Sequence, residues 1–148
     1  MNLLIQRARL GNQTRDIFIR DGKFAQIEQS LDPATLGTPL QVLDAAGLAI
    51  LPSFANIHCH AAMVLLRGLG DGLPLQAWLN DVIWPIERRL TPDQIYWGTL
   101  FGCLEMIRAG ITAVFDMYWQ TPQCLRAFYE SGLRVNFSHP NIIPPGQD

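Results

Sequence analysis

The chain has 148 residues, of which 49% are hydrophobic, with 11 basic against 13 acidic side chains and a formal net charge of −2. That composition suits one ordinary globular domain and excludes a disordered chain. A near-neutral balance offers no basic surface for nucleic acid or an anionic membrane, and no apolar run approaches the ~20 residues of a membrane span. Cys59, Cys103 and Cys124 are an odd number without a CxxC pair, which fits a reducing compartment. With no signal-peptide pattern at the start, the expected location is the cytoplasm.

The first fifty residues read as short strands. Leu3–Ile5 opens one, Asp16–Ile19 is β-rich, and Lys23–Ile27 returns after Asp21-Gly22, a tight hairpin signal. Asp32-Pro33, Gly37 and Pro39 mark a loop, and Gln41–Asp44 resumes extended chain. The run Leu51-Pro-Ser-Phe-Ala-Asn-Ile57 then reads as a buried strand through Phe54, Ala55 and Ile57. Residues 61–90 read as a long, partly helical connection. Gly68, Gly70 and Gly72 cluster there without the spacing of a phosphate loop. Thr91-Pro92-Asp93-Gln94 has an N-cap Thr, a Pro at the first helical position and Gln three residues on, a capping-box helix start. Apolar residues recur at Ile95, Leu100, Cys103, Leu104 and Ile107 with a 3.6-residue period. Gly110 is placed to end that helix. Ile111–Phe115 is β-branched and apolar, Gln123–Ser131 reads as a second helix stopped by Gly132, and Arg134–Ser138 as a third strand. Strand, helix, strand, helix, strand at this spacing means parallel βαβ units.

These three strands end at His58/His60, at Asp116 and at His139. In parallel α/β folds, functional side chains gather at the carboxyl ends of strands. His58 and His60 are two residues apart on an extended segment, so their rings project to one side and Cys59 to the other. Neutral imidazole is a preferred zinc ligand. An isolated His-x-His match is nonetheless a weak signal. Asp116 reads as a buried structural acid taking backbone hydrogen bonds in preference to a ligand. Glu87 reads either as a substrate-binding carboxylate, a good acceptor for paired hydroxyls, or as a surface partner of Arg88 and Arg89.

Longer stretches carry a resemblance. Leu51-Pro-Ser-Phe-Ala-Asn-Ile-His-Cys-His-Ala-Ala-Met-Val-Leu-Leu-Arg-Gly68 resembles the first barrel strand and following loop of the amidohydrolase superfamily. Leu73-Pro-Leu-Gln-Ala-Trp-Leu79, Trp84-Pro-Ile-Glu87 and Gly110-Ile-Thr-Ala-Val-Phe-Asp-Met-Tyr118 are similar to its chlorohydrolase and aminohydrolase branch, which includes the methylthioadenosine/S-adenosylhomocysteine deaminases. Ser53 departs from the pattern, because the family usually has Gly after that Pro. The position is a backbone turn and carries no chemistry.

The resemblance implies an α/β fold: half of a small β-sandwich over residues 1–50, then the first βα units of a (β/α)8 barrel over residues 51–148. Such a barrel typically takes ~250 residues, so the chain reads as the N-terminal portion of something larger. The implied function is metal-dependent hydrolysis of a non-peptide C–N bond, the deamination of an adenosine-like or other amino-heteroaromatic small molecule. His58 and His60 would be ligands of one divalent metal, zinc or alternatively iron. The only lysine is Lys23, in the small domain, so a lysine-bridged pair of metals has no support. Glu87 matches a residue that holds ribose hydroxyls in nucleoside-deaminase-like members. Trp84, with Trp78 and Met63, would wall the pocket or else simply fill core. His139 falls where several relatives carry Arg, and its two readings are a substrate contact or a loop histidine before Pro140. The remaining metal ligands and the acid/base residue of the family have no counterpart here, so no catalytic residue is assigned in this segment. The alternative is a catalytically incompetent truncated product or scaffold with at most weak metal binding. With three strands of an unclosed barrel, self-association or a missing C-terminal portion is expected.

Overall fold

The computed structural model describes residues 2–138. They fall into two compact units, Met1–Pro52 and Ser53–Asp148.

The first unit is a single four-stranded sheet. Strands β1 (Asn2–Leu10), β2 (Gln13–Arg20) and β3 (Lys23–Glu28) form an antiparallel meander, and β4 (Leu40–Asp44) adds to β1 in parallel, giving the order β3-β2-β1-β4. The β2–β3 turn is Asp21-Gly22, with φ of 50° and 73°. Two successive positive φ values are what a two-residue type I′ hairpin demands. β1 carries a bulge between Ile5 and Ala8, with Arg7 at φ 60°. Buried Asp16 stabilises it by accepting the Arg7 amide at 2.8 Å, and its other oxygen takes the Leu31 amide at 3.0 Å. Leu4, Phe18 and Leu36 form the small core beneath.

The second unit is a parallel three-stranded sheet, β5 (Phe54–Cys59), β6 (Ile111–Met117) and β7 (Arg134–Ser138), in the order β5-β6-β7. Between β5 and β6 the chain passes through a 3₁₀ segment (Ala61–Leu66), a short α1 (Leu75–Ala77), a π turn (Trp78–Ile83) and α2 (Trp84–Glu87) before the long α3 (Pro92–Arg108). Helix α4 (Thr121–Ser131) joins β6 to β7. The start of α3 is a complete capping box: Thr91 Oγ1 accepts from the Gln94 amide at 3.2 Å, and Gln94 Oε1 accepts from the Thr91 amide at 2.8 Å. Gly110 and Gly132, at φ 77° and 78°, follow the two helices in the left-handed region that favours glycine.

The expected burial of the β5 run is corrected. Phe54 is 64% and Ile57 81% exposed. β5 is an edge strand of this sheet. The core, including Cys103, Val114, Cys124 and Phe128, lies between the sheet and helices α3 and α4. A strand buried on both faces needs cover on both, and among the described residues helices cover one face only. The apolar pattern does form a strand, paired with β6, but among the described residues Phe54 and Ile57 stay exposed.

The 3₁₀ segment that follows the histidines rests directly on α3. Gly98 and Gly102 make this possible: a Cβ on either would stand 2.8 Å from the carbonyl oxygen of Ala62 or Ala61 respectively. Gly102→Ala sets two effects against each other. Alanine is favoured over glycine in a helix interior by about 1 kcal/mol, while forcing a methyl against a fixed backbone oxygen costs about 1–3 kcal/mol. A net loss of up to about 2 kcal/mol in urea unfolding is expected. A stabilised variant would show that the segment is loosely held.

Candidate metal centre and its pocket

β5 does not deliver its histidines by simple alternation. Its pairing to β6 slips between Asn56 and Cys59: Asn56 stands opposite Val114, and Cys59 opposite Asp116. Three steps on one strand therefore match two on the other, the signature of a bulge. Asn56 helps shape it, accepting the His58 amide on Oδ1 at 3.2 Å. His60 lies just past the strand, at φ −134° and ψ 72°. The two imidazoles nevertheless meet, with ring centroids 5.0 Å apart and planes at 83°.

The end of β6 holds His60 through two consecutive residues. The Met117 carbonyl lies 2.7 Å from His60 Nδ1. A carbonyl only accepts, so Nδ1 carries the hydrogen, and in the neutral ring Nε2 keeps its lone pair. The neighbouring Asp116 accepts the Ala61 amide on Oδ1 at 2.8 Å. Asp116 is fully buried, and burial pushes its pKa up, against the pull of the Ala61 amide, Cys59 and His60. Cys59 packs against the core rather than beside the rings. Burial, reinforced by the Asp116 charge, pushes its thiol up to about 12, which makes it a poor ligand or nucleophile near neutral pH.

A cavity of about 420 Å³ opens onto both histidines. Trp84, Trp78 and Met63 line it, and so does Glu87. Among the described residues no ion pair joins Glu87 to Arg88 or Arg89, and both arginines are exposed. The Glu87 carboxylate instead turns inward. Burial raises its pKa, while Tyr118, Trp119 and His60 oppose that rise. Its Oε1 is buried and meets no hydrogen-bond partner. His139 lies outside the described residues.

Sequence reasoning missed Tyr118 and Trp119, which also line this cavity. The available signal was their position just beyond the carboxyl end of β6, where open α/β sheets bind ligands. The Met117 carbonyl had no signal in residue type at all.

The donor set can be tested against a metal. Two imidazoles, one with its tautomer set by a backbone acceptor, are suitable zinc ligands with a typical outer-shell support. Among the described residues no group of three or more His, Cys, Asp or Glu is placed to hold a metal ion. The residues therefore fit half of a tetrahedral site.

A parallel βα layer with paired imidazoles at its strand ends defines an α/β protein of the kind that carries its chemistry at the carboxyl edge of the sheet. The sequence profile of the amidohydrolase family matches residues 49–144, and the chain belongs to that family. It is 43% identical over 129 residues to 5'-deoxyadenosine deaminase of Methanothermobacter thermautotrophicus, covering 87% of this chain and 30% of that protein. It is 42% identical over 145 residues to 5-methylthioadenosine/S-adenosylhomocysteine deaminase of Pelotomaculum thermopropionicum, covering 93% of this chain and 34% of the relative. Among solved structures it resembles a zinc-bound adenosine deaminase of Xanthomonas campestris, with a TM-score of 0.78 and 26% identity over 90% of this chain and 33% of that one. A zinc complex of atrazine chlorohydrolase from Arthrobacter aurescens shares the fold, with a TM-score of 0.77 at 20% identity over 93% of this chain and 35% of that one. The chain spans about a third of the length of the relatives it matches. Among the described residues no helix is long and apolar enough to cross a membrane.

Asp116→Ala would leave the buried Ala61 amide without an acceptor, at a cost of about 1–3 kcal/mol. The variant should unfold at lower urea concentration, and the His60 ring resonances should shift in a histidine NMR spectrum. Unchanged His60 signals would show that Asp116 does not help hold this corner.

Proposed function

We propose that the chain supplies the first βα units of a (β/α)8 barrel in a metal-dependent aminohydrolase. The whole protein would hydrolytically deaminate an adenosine-like or other amino-heteroaromatic compound. Residues 1–50 contribute half of a small β-sandwich, and residues 51–148 the opening of the barrel. His58 and His60 are ligands of one divalent metal, zinc in the first instance and iron as the alternative. Glu87 accepts hydrogen bonds from substrate hydroxyls, and Trp84 walls the pocket. His139 keeps its two readings, substrate contact or loop histidine.

One observation carries this reading: the Met117 carbonyl engages His60 Nδ1, so Nε2 is the nitrogen left for a metal, beside His58 and at the mouth of an aromatic-walled cavity. Bound zinc lowers the pKa of a coordinated water to about 7. This chain's own residues orient two imidazoles, exclude water with Trp84 and Trp119, and offer a desolvated carboxylate at Glu87. The family relatives named deaminases support the substrate class.

A second reading is a catalytically inert chain that binds metal weakly. The single pair of imidazoles favours it for the chain by itself. Zinc titration followed by atomic absorption separates the parts of the proposal. His60→Ala and His58→Ala should each abolish the weak zinc binding of the chain. The 148-residue chain should release no ammonia from adenosine, whereas a chain extended through the remaining strands should do so and require zinc. If His60→Ala retains the full zinc content, the metal assignment is wrong.

The same reading predicts association. An exposed strand edge and uncovered apolar residues such as Phe54 and Ile57 favour intermolecular contact. Light scattering should show species larger than a monomer, and a compact monomer would contradict this.

A further inference from the structure

Tyr118 follows Met117 directly and is only 2% exposed, so it shares the end of β6 with the backbone acceptor of His60. Its ring packs into the main core, while its hydroxyl is buried without a hydrogen-bond partner. Glu87 Oε1 is in the same condition, and both residues line the one cavity. Buried polar atoms are nearly always paired. Here a donor and an acceptor stand open in the same pocket. Each also acts on the other's ionisation: Glu87 adds to the effect of burial in raising the Tyr118 phenol, and Tyr118 works against the burial that raises Glu87.

We propose that Tyr118 is a positioning residue for Glu87: a small shift of these two open groups lets its hydroxyl donate to the carboxylate and fix the orientation in which the remaining lone pairs receive vicinal hydroxyls of a ligand. The proposal rests on the reading of Glu87 as the acceptor of substrate hydroxyls. A carboxylate offers about four acceptor sites, so one donor from the protein leaves enough for a diol. Without it, the carboxylate loses one of the groups that define its terminal torsion, which is broad for Glu. An ordinary core tyrosine would need only its ring, and phenylalanine keeps that ring.

Two measurements test this. The first needs no ligand. A proton NMR spectrum of the chain should contain a slowly exchanging low-field hydroxyl signal that disappears in Tyr118→Phe and moves upfield in Glu87→Gln. Its absence, or its indifference to Glu87→Gln, overturns the pairing. The second follows tryptophan fluorescence during titration with adenosine and with 2',3'-dideoxyadenosine, since Trp78, Trp84 and Trp119 line the cavity. Tyr118→Phe should weaken adenosine by about tenfold, the loss typical of one hydrogen bond to a charged group, and leave the dideoxy compound unchanged. Glu87→Gln combined with Tyr118→Phe should bind adenosine no more weakly than Glu87→Gln alone. Equal losses for both nucleosides, or additive losses in the double variant, overturn the positioning role. If the hydroxyl signal behaves as expected but the unaltered chain binds both nucleosides equally, the pair stands and the reading of Glu87 as a diol acceptor falls.

Discussion

The arrangement of the site depends on the grip that the end of β6 takes on the residues following β5. Asp116 accepts the Ala61 amide, and the Met117 carbonyl engages the His60 ring. Neither contact would suffice alone. A ring hydrogen bond without a fixed backbone would let His60 swing on its stem, and a fixed backbone without the ring contact would leave the tautomer open. Together they set which nitrogen is exposed and where it points. The bulge in β5 belongs to the same device, because it lets Cys59 stand opposite Asp116 while His58 remains close to His60.

That grip is in turn braced from behind. The 3₁₀ segment beginning at Ala61 lies on α3 only because Gly98 and Gly102 present bare backbone to it. The two glycines are four residues apart and so share one helix face. Each gives up helix propensity of about 1 kcal/mol relative to alanine. The loss is tolerable because α3 is 17 residues long, carries a complete capping box and buries Ile95, Thr99, Cys103 and Met106. Stability invested in the helix start and core thus permits the close approach that positions the segment following His60.

The sequence was most legible where a local rule decides structure without help from distant chain. The capping box at Thr91, the stops at Gly110 and Gly132 and the Asp21-Gly22 turn each depend on a few neighbouring side chains. It was least legible where distant contacts decide. Phe54 and Ile57 read as buried because they are apolar and β-forming, but burial needs a partner surface, and periodicity carries no information on whether one is present. The π turn at Trp78–Ile83 has no short signature, yet it helps bring the Trp84–Glu87 turn to the cavity. The placement of the His58 and His60 rings follows the strand-end argument in outcome, although the route runs through a bulge and an irregular residue rather than strict alternation.

Glu87 lines the cavity rather than pairing with the neighbouring arginines on the surface. A carboxylate beside two arginines in sequence would gain most by staying in water, where exposed pairs are worth about 0–1 kcal/mol and solvation is complete. Glu87 instead buries its carboxylate, which pushes its pKa up, and receives partial compensation from Tyr118, Trp119 and His60. Partial compensation leaves acceptor capacity unused: Oε1 remains without a partner in a cavity walled largely by aromatic side chains. Such a group is costly to the folded chain. Under the proposed function the same deficit would confer selectivity, because a ligand that supplies hydroxyl donors relieves the cost and one that lacks them leaves it in place.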